Sequence, residues 1–268
     1  MPPTVLITGA SQGTGKATAL LFARKGYNVV LAARQADRLE TVAQAVREIG
    51  VSALAIPTDV SQVEAVQKLV EQSLGFYDQI DVLVNNAGIC LTGEMANTSL
   101  EDWQQIMNVN FWGYVYTIQA LLPHFLERQQ GTIVNVGSFG GKMPLPNMTA
   151  YCASKYAVTG MTETLRLELA PKAIHVGIVH PGIINSDFLE RAVFKGTETD
   201  TEKGRQRMQE MLQGPIVSQP EEIAQAVWDV VRFKVDEKVV GPIMLATEAY
   251  RLFPGLTQWM LEQGVMEN

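Results

Sequence analysis

The sequence predicts an α/β fold: a doubly wound sandwich in which a seven-stranded parallel sheet carries helices on both faces. Two observations indicate this architecture. Short apolar segments alternate with segments whose apolar residues recur at helical spacing, from the first residues to about residue 245. The apolar segments also lack the polar alternation of a half-exposed strand, which is typical of strands buried on both faces. No linker rich in Pro, Gly or Ser divides residues 1–268, so we expect a single domain.

The elements follow one another in a regular order. The predicted strands are 5–8, 28–33, 53–56, 81–84, 133–136, 175–179 and 239–245. Helical spacing covers 16–25, 39–49, 63–74, 103–122, 151–169 and 220–231. Gly50 lies where a helix C-cap glycine is expected, and Pro171 follows the end of the helix that contains Tyr151. We expect a bend in the helix over 103–122 near Gly113.

Composition and charge exclude several classes of protein. A hydrophobic content of 47% with 18% charged residues predicts a globular chain with a sizeable core. The net charge of −7 argues against a nucleic-acid surface, which needs a basic stripe. No apolar run is long enough to cross a bilayer, and the first residues do not resemble a leader segment. The two cysteines, Cys90 and Cys152, could form one disulfide but favour a reducing compartment. We therefore expect a soluble, cytoplasmic protein.

Two segments fall outside the repeating pattern. Residues 185–219 form a connection longer than usual between a strand and a helix, which predicts an irregular substrate loop or lid. Met208, Met211 and Leu212 would give this segment an adaptable apolar face. A surface insertion without substrate contact is the alternative. Residues 246–268 form a C-terminal extension that could pack at a subunit interface or touch a membrane surface.

A glycine-rich loop joins the first predicted strand to the first helix. Its sequence over residues 8–15 is TGASQGTG. Gly9 permits a tight turn, Gly13 permits close approach of a ligand to the backbone, and Gly15 allows the helix to pack near the strand. The free amides of the helix N-terminus can receive a diphosphate. This placement predicts a Rossmann-like dinucleotide site.

A tyrosine and a lysine are spaced so that they share one face of a helix. Tyr151 and Lys155 are four residues apart, and Ser138 follows the predicted strand 133–136. An ammonium near a phenol lowers the pKa of the phenol, which would then exchange a proton near neutral pH. Ser138 could hold a substrate oxygen beside Tyr151. The pair taken alone is also compatible with an ordinary contact on a helix surface.

Six motifs in order resemble the short-chain dehydrogenase/reductase family. They are the glycine loop at 8–15, Asp59-Val60, NNAG at 85–88, Asn110 within a helix, the set Ser138, Tyr151 and Lys155, and PGIINS at 181–186. The resemblance covers about residues 4–245. It departs from the family pattern at Thr14, where isoleucine is usual, and at Ser186, where threonine is usual.

The resemblance implies a role for each matching residue. The catalytic residues would be Asn110, Ser138, Tyr151 and Lys155. The residues that contact the cofactor would be Gly9, Ser11, Gly13, Thr14, Gly15, Arg34, Asp59, Val60, Asn86, Ala87, Gly88, Tyr151, Lys155, Pro181, Gly182, Ile184 and Ser186. No metal ligand set is implied, and the histidines His124, His175 and His180 are interpreted as structural.

The end of the second strand favours NADP(H) over NAD(H). An enzyme that uses NAD usually has an acidic residue there, which accepts a hydrogen bond from the ribose 2′-hydroxyl. This chain has Ala33, followed by Arg34, whose guanidinium suits a 2′-phosphate. Alternatively, Arg34 stacks on adenine or faces solvent.

The implied reaction is hydride transfer between the nicotinamide and a carbonyl carbon, with Tyr151 as proton donor in reduction. Lys155 would lower the pKa of Tyr151 and bond the nicotinamide ribose, and Ser138 would hold the substrate oxygen. Asn110 would hold a water that links Lys155 to solvent. The oxidised cofactor would lower the pKa of Tyr151 further.

Apolar residues around the expected cleft favour a hydrophobic ketone or aldehyde as substrate. They are Met143, Leu145, Met148, Phe188, Leu189, Val193 and Phe194. Three functions remain open: a carbonyl reductase, a 3-oxoacyl-thioester reductase or secondary-alcohol dehydrogenase, and a protein that senses NADP(H) without turnover. The resemblance also implies a homodimer or homotetramer built on the long fourth and fifth helices.

Overall fold

The computed structural model describes residues 2–184, 192–212 and 217–266. Within them a seven-stranded parallel sheet has the order β3-β2-β1-β4-β6-β7-β9, which confirms the predicted fold class. The strands are β1 Thr4–Thr8, β2 Asn28–Ala33, β3 Ala53–Pro57, β4 Val82–Asn85, β5 Cys90–Thr92, β6 Gly131–Val136, β7 Ile174–Pro181, β8 Ala192–Phe194 and β9 Glu237–Val240. The order reverses beside β1, so the crevice at the carboxyl ends of β1 and β4 is the expected ligand site of such a sheet.

Helices cover both faces of this sheet. They are α1 Gly13–Arg24, α2 Ala36–Glu48, α3 Val63–Tyr77, α4 Leu100–Met107, α5 Gly113–Arg128, α6 Thr149–Leu169, α7 Glu198–Leu212, α8 Pro220–Phe233, α9 Ile243–Leu252 and α10 Pro254–Met266. No helix among the described residues combines the length and the apolar composition that crossing a bilayer requires.

The core consists of two apolar layers, one on each face of the sheet. Successive residues of a strand point to opposite faces. Ile7 of β1 therefore packs in the same layer as Phe22 of α1, whereas its neighbour Leu6 packs in the opposite layer with Phe125 of α5. All four side chains are fully buried, and each stabilises the fold by about 1.5–3 kcal/mol through removal of apolar surface from water.

The helix that was expected to bend near Gly113 is interrupted just before that residue. A single π-helical turn, Asn108–Trp112, separates α4 from α5. A Cβ atom on Gly113 would lie 2.9 Å from Cγ2 of Val60, so only glycine lets the helix approach this loop. The widened turn places the fully buried Asn110 towards the carboxyl ends of the strands.

The structure corrects two predictions, one about the end of the last strand and one about the segment 185–219. The last strand does not run over 239–245: β9 ends at Val240, and α9 begins at Ile243. Gly241 has a φ of +88°, and Pro242 supplies no backbone N–H, so the chain leaves the sheet at this point. The segment 185–219 is also more regular than expected, because it contains β8 and α7. β8 pairs with β5 in a second, two-stranded parallel sheet.

Candidate active site

A cleft opens at the carboxyl ends of β1, β4, β6 and β7. It holds about 1050 Å³ of unfilled space, including its open mouth. Its lining residues come from the glycine loop, the loops after β4 and β6, helix α6 and the chain after β7. They are Gln12, Thr14, Gly15, Asn86, Gly88, Ile89, Cys90, Val136, Gly137, Ser138, Phe139, Leu145, Met148, Tyr151, Lys155, Pro181, Gly182, Ile183, Ile184 and Leu212.

The glycine loop is packed so closely that side chains are excluded at two positions. Gly9 has a φ of +66°, and a Cβ atom there would lie 2.8 Å from Cα of Ala87. A Cβ atom on Gly15 would lie 2.2 Å from the carbonyl oxygen of Gly9. Asn86 Nδ2 donates to the carbonyl oxygens of Thr8, at 3.0 Å, and Gly9, at 3.2 Å. These contacts hold the turn tightly at the N-terminus of α1, where free backbone amides can receive the diphosphate of a dinucleotide.

Tyr151, Lys155 and Ser138 meet on one wall of the cleft. Both Ser138 and Tyr151 line the cleft, and the Ser138 oxygen accepts from the backbone N–H of Gly140 at 3.1 Å. Lys155 Nζ donates to the carbonyl oxygen of Val136 at 3.0 Å. The helical spacing of Tyr151 and Lys155 therefore brings both side chains to the cleft, next to the serine that follows β6.

The charge states at this wall differ from those we expected. Burial raises the pKa of Tyr151 above its ordinary value, whereas the hydrogen bond from Ser138 acts in the opposite direction. The net pKa of this phenol is therefore raised in this structure, not lowered as we expected from its spacing to Lys155. Burial lowers the pKa of Lys155 itself to about 8. Both shifts have the same physical cause, because a poorly solvated site disfavours phenolate and ammonium alike.

Asn110 connects the π-helical turn to the loop after β4. Its Oδ1 accepts from the backbone N–H of Ile89 at 2.8 Å, and its Nδ2 donates to the carbonyl oxygen of Ile89 at 3.0 Å and to Ser154 Oγ at 3.1 Å. A Cβ atom on Gly88 would lie 3.4 Å from Asn110 Oδ1 and 3.7 Å from Lys155 Nζ. Asn110 and Lys155 thus converge on the backbone of Gly88.

The region beyond the glycine loop carries basic side chains. Arg34 follows β2, is exposed, and makes no hydrogen bond or ion pair with any residue that the structure describes. Arg38 Nη1 donates to Gln12 Oε1 at 2.6 Å. Gln12 Nε2 is buried and lacks a hydrogen-bond partner within the described part of the chain. Gln12 lines both the cleft and a second cavity, which Arg38 and Lys16 also line.

A family model described as short chain dehydrogenase matches residues 3–195, which is more than half of the chain. The chain belongs to the short-chain dehydrogenase family. Among its relatives, 11-beta-hydroxysteroid dehydrogenase-like 3 from Arabidopsis thaliana is 41% identical over 185 residues. The matched region is 68% of this chain and 59% of that protein, so the chain spans less than two thirds of the length of this relative.

Solved structures of the short-chain dehydrogenase family share the fold. One is a short chain dehydrogenase/reductase from Burkholderia phymatum in complex with NAD, with a TM-score of 0.85 and 25% identity over 94% of this chain and 95% of that one. Another is a short-chain dehydrogenase from Sphingobium yanoikuyae in complex with NADPH, with a TM-score of 0.79 and 29% identity over 99% of this chain and 96% of that one. Proteins of this shape thus bind either nicotinamide dinucleotide.

The structure brings ten of the residues that match the short-chain dehydrogenase motifs into the cleft wall. They are Thr14, Gly15, Asn86, Gly88, Ser138, Tyr151, Lys155, Pro181, Gly182 and Ile184. Seven others do not line this cleft: Gly9, Ser11, Gly13, Asp59, Val60, Ala87 and Asn110. Of these, Ser11 and Gly13 line the second cavity. Arg34 is exposed at the end of β2, and Ser186 lies outside the described residues.

Sequence reasoning missed part of the cleft wall. Gln12, Ile89, Val136, Gly137 and Ile183 line it without belonging to the residues singled out from the sequence. Gln12 and Ile183 lie inside the quoted motifs, and the other three are close to motif residues in the chain, so this position was the available signal.

The apolar residues expected around the substrate are only partly found at the cleft. Leu145 and Met148 line it, whereas Met143 is buried beside it. Val193 packs against the apolar cluster around Leu91. Phe188 and Leu189 lie outside the described residues.

Neither the cysteines nor the histidines form a metal cluster among the residues that the structure describes. Cys90 and Cys152 are free and buried. Burial raises the pKa of Cys90 to about 12, so its thiol is neutral. His124 Nε2 accepts from the backbone N–H of Ile80 at 3.2 Å, and His175 Nε2 lies 3.2 Å from the carbonyl oxygen of Val235.

Proposed function

We propose that the protein is an NADPH-dependent carbonyl reductase that acts on a hydrophobic ketone or aldehyde. The observation that carries this proposal is the convergence of Ser138, Tyr151 and Lys155 in a cleft that the glycine loop also lines. A site of this kind places a proton donor beside a dinucleotide. A pure redox sensor would not need these three side chains as a set.

The cofactor-binding residues of the proposed enzyme are those expected from the motifs. Gly13 would admit the diphosphate to the first amides of α1, and Gly9 and Gly15 would keep the turn compact. Asn86, Ala87 and Gly88 would form the adjoining wall. When bound, the nicotinamide supplies the hydride for reduction or accepts it for oxidation. Lys155 would bond the ribose hydroxyls, since its Nζ lies at the cleft beside Gly88.

The raised pKa of Tyr151 suits the reductive direction. A phenol with this shift stays protonated across neutral pH and is therefore ready to donate to a carbonyl oxygen. Ser138 holds the tyrosine hydroxyl and the substrate oxygen in one place. Lys155, with a pKa of about 8, is predominantly protonated at pH 7 and would be the proton reserve for Tyr151. Asn110 fixes the loop beside Lys155, where the resemblance implies a relay water.

Residues 185–219 are proposed as the substrate loop. β8 pairs with β5, where Cys90 is opposite Ala192. Lys195 Nζ forms an ion pair with Asp102 Oδ1 at 2.9 Å, and its backbone N–H donates to the carbonyl oxygen of Thr92 at 2.9 Å. Leu212 at the end of α7 reaches the cleft wall. The described part of the loop is thus bound near the site through Lys195 and contacts the cleft through Leu212.

The substrate class follows from the apolar wall. Ile89, Phe139, Leu145, Met148 and Leu212 surround the side of the cleft near Tyr151. Such a surface contributes about 25 cal/mol for each Å² of apolar substrate surface that it removes from water. The Arabidopsis relative, which is named for a hydroxysteroid dehydrogenase, is consistent with a hydrophobic substrate.

A panel of carbonyl compounds tests the proposed function. We expect the purified protein to oxidise NADPH in the presence of bulky apolar ketones or aldehydes. The rate, followed by absorbance at 340 nm, should be higher than with small polar carbonyl compounds. Faster turnover of 3-oxoacyl thioesters would identify a thioester reductase instead. Binding of NADPH without oxidation by any member of the panel would contradict the proposal and favour a sensor.

The preference for NADP(H) is proposed from Ala33 and Arg34. Arg34 is exposed and has no partner among the residues that the structure describes. Its guanidinium can form charge-assisted hydrogen bonds to a 2′-phosphate, which contribute about 1.5–3 kcal/mol. We expect Ala33→Asp combined with Arg34→Ala to lower the ratio of kcat/KM for NADPH to that for NADH by about 10- to 100-fold.

The matched control for this change is Arg24→Ala, because Arg24 is an exposed arginine at the end of α1. It should leave the ratio unchanged. An unchanged ratio in the double variant would show that the 2′-phosphate is bound elsewhere, for example by Arg38 and Lys16.

A further inference from the structure

A polar cluster lies behind Ser138, on the side away from the cleft. It consists of His180 on β7, Glu237 on β9 and Lys142, which follows the loop that begins at Ser138. Lys142 and Glu237 are only partly buried. β7 and β9 are neighbours in the sheet, and His180 is fully buried. Burying the polar ring of His180 is costly unless the ring is hydrogen-bonded, so the partners of this ring are important.

His180 is bonded to the main chain of Ser138. Its Nδ1 lies 2.9 Å from the carbonyl oxygen of Ser138. A carbonyl oxygen can only accept, so Nδ1 carries the hydrogen. Burial holds the pKa of His180 below its ordinary value, and the ring is therefore a neutral Nδ1–H tautomer. A Cβ atom on Gly137 would lie 2.8 Å from Nδ1, so the ring packs directly under the residue that precedes Ser138.

The other end of the same loop is held by an ion pair. Lys142 Nζ contacts Glu237 Oε1, and this carboxylate oxygen lies 3.4 Å from His180 Nε2. Nε2 has no hydrogen-bond partner within the described residues. The lysine ammonium offsets the negative charge that the carboxylate would otherwise present to the neutral ring. The loop from Ser138 to Lys142 is thus tied to the sheet at both ends.

We propose that His180 is a positioning residue, which holds the main chain of Ser138 so that the serine hydroxyl meets Tyr151, with the Lys142–Glu237 pair securing the far end of the loop. This inference rests on the proposed function, since it assigns His180 an effect on the same reaction. His180 does not line the cleft. Its effect on turnover therefore passes through Ser138.

Two substitutions of His180 separate positioning from packing. Leucine has similar bulk but cannot donate to the carbonyl of Ser138. Asparagine carries its amide nitrogen as many bonds from Cα as Nδ1 of histidine and retains that donor. We expect His180→Leu to lower kcat by about 10- to 100-fold with little change in the affinity for NADPH, because a small misplacement in a reacting array is costly. We expect His180→Asn to recover most of the loss.

The matched control is His175→Leu. His175 lies on the same strand, is partly buried, and bonds to the carbonyl oxygen of Val235 away from the cleft. Its replacement should leave kcat unchanged. If His180→Leu and His175→Leu behave alike, or if asparagine restores nothing, the inference is overturned.

A double-mutant cycle and a spectroscopic measurement complete the test. His180→Leu should add little to the loss in kcat already caused by Ser138→Ala, because both act through the same hydroxyl. Additive losses would contradict the inference. The imidazole ¹⁵N shifts of the native protein should show the proton of His180 on Nδ1, and a proton on Nε2 alone would also overturn the inference.

If Tyr151→Phe abolishes turnover but His180→Leu does not alter it, only the inference about His180 fails. If the native protein reduces no carbonyl compound, the proposed function fails, and this inference fails with it.

Discussion

Replacing Tyr151 with phenylalanine is expected to lower kcat by at least ~10²-fold, the usual scale for loss of a general acid. The substitution removes only the hydroxyl group, which lies in the cleft with Ser138. The ring remains, so its packing against the apolar cluster around Leu91 and Ile106 is preserved. The affinity for NADPH should therefore stay nearly constant.

Steady-state kinetics with the best substrate of the panel, together with a fluorescence titration of NADPH, measures both quantities. Tyr156→Phe is the matched control, because Tyr156 lies on the same helix but is 41% exposed. It should retain full activity. Near-native turnover in Tyr151→Phe would show that the proton comes from another group and would refute the catalytic assignment.

Replacing Lys155 with methionine is expected to abolish most activity and, at the same time, to stabilise the protein at pH 7. Loss of the ammonium interrupts the return of a proton to Tyr151, so we expect kcat to fall by ~10²-fold or more. The stability effect has a different origin. The folded state holds Lys155 almost completely buried and lowers its pKa from 10.5 to about 8. Each pKa unit corresponds to about 1.4 kcal/mol, so burying this charge costs on the order of 3 kcal/mol at pH 7.

The pH dependence of this cost has a definite sign. Below pH 8 Lys155 is protonated in both the folded and the unfolded states, and the native protein bears the whole cost. Between pH 8 and pH 10.5 only the unfolded state keeps the proton, so the cost declines as the pH rises. The stability advantage of Lys155→Met should therefore be greatest at pH 7 and should narrow towards pH 10.

Local contacts around Lys155 favour the expected stabilisation of Lys155→Met. The carbonyl oxygen of Val136, which loses the lysine as donor, still accepts from Tyr114 Oη at 3.0 Å. Methionine fills similar space in an apolar setting. The lost contact of Lys155 with the Tyr114 ring, now 5.5 Å from Nζ to the ring centroid, offsets part of the gain.

Urea unfolding at pH 7 and at pH 10 measures the free energy of unfolding, with Lys172→Met as the control because Lys172 is exposed. A destabilised Lys155→Met variant at pH 7 would show that the ammonium is ion-paired or hydrated in solution, contrary to its buried position in the structure.

The architecture could be predicted from the sequence because its signals are local. Buried strands such as β1 and β2 are short apolar runs, and helices such as α3 show apolar residues at regular spacing. The glycine loop was also recognisable, because Gly9 and Gly15 occupy positions that the turn and the helix packing demand. The same local spacing brought Tyr151 and Lys155 to one face of α6.

Boundaries and loops were less predictable. The sequence after Val239 is apolar enough to continue a strand, yet the chain turns at Gly241 and Pro242 and enters a helix. The short sheet of β5 and β8 joins segments about a hundred residues apart in the chain. No local pattern predicts this pairing. Each strand has only three residues and is too short to be stable without the other.

The residue pattern by itself determined the α/β architecture and the identity of the side chains that meet at the carboxyl ends of the strands, because spacing and strand order dictate where they go. Only the tertiary structure decided the charge states of these side chains and the hydrogen bonds that hold them in place. Burial, which depends on every surrounding element, raises the pKa of Tyr151 and lowers that of Lys155. The bond from His180 to Ser138 spans 42 residues and exists only because β6 and β7 lie side by side.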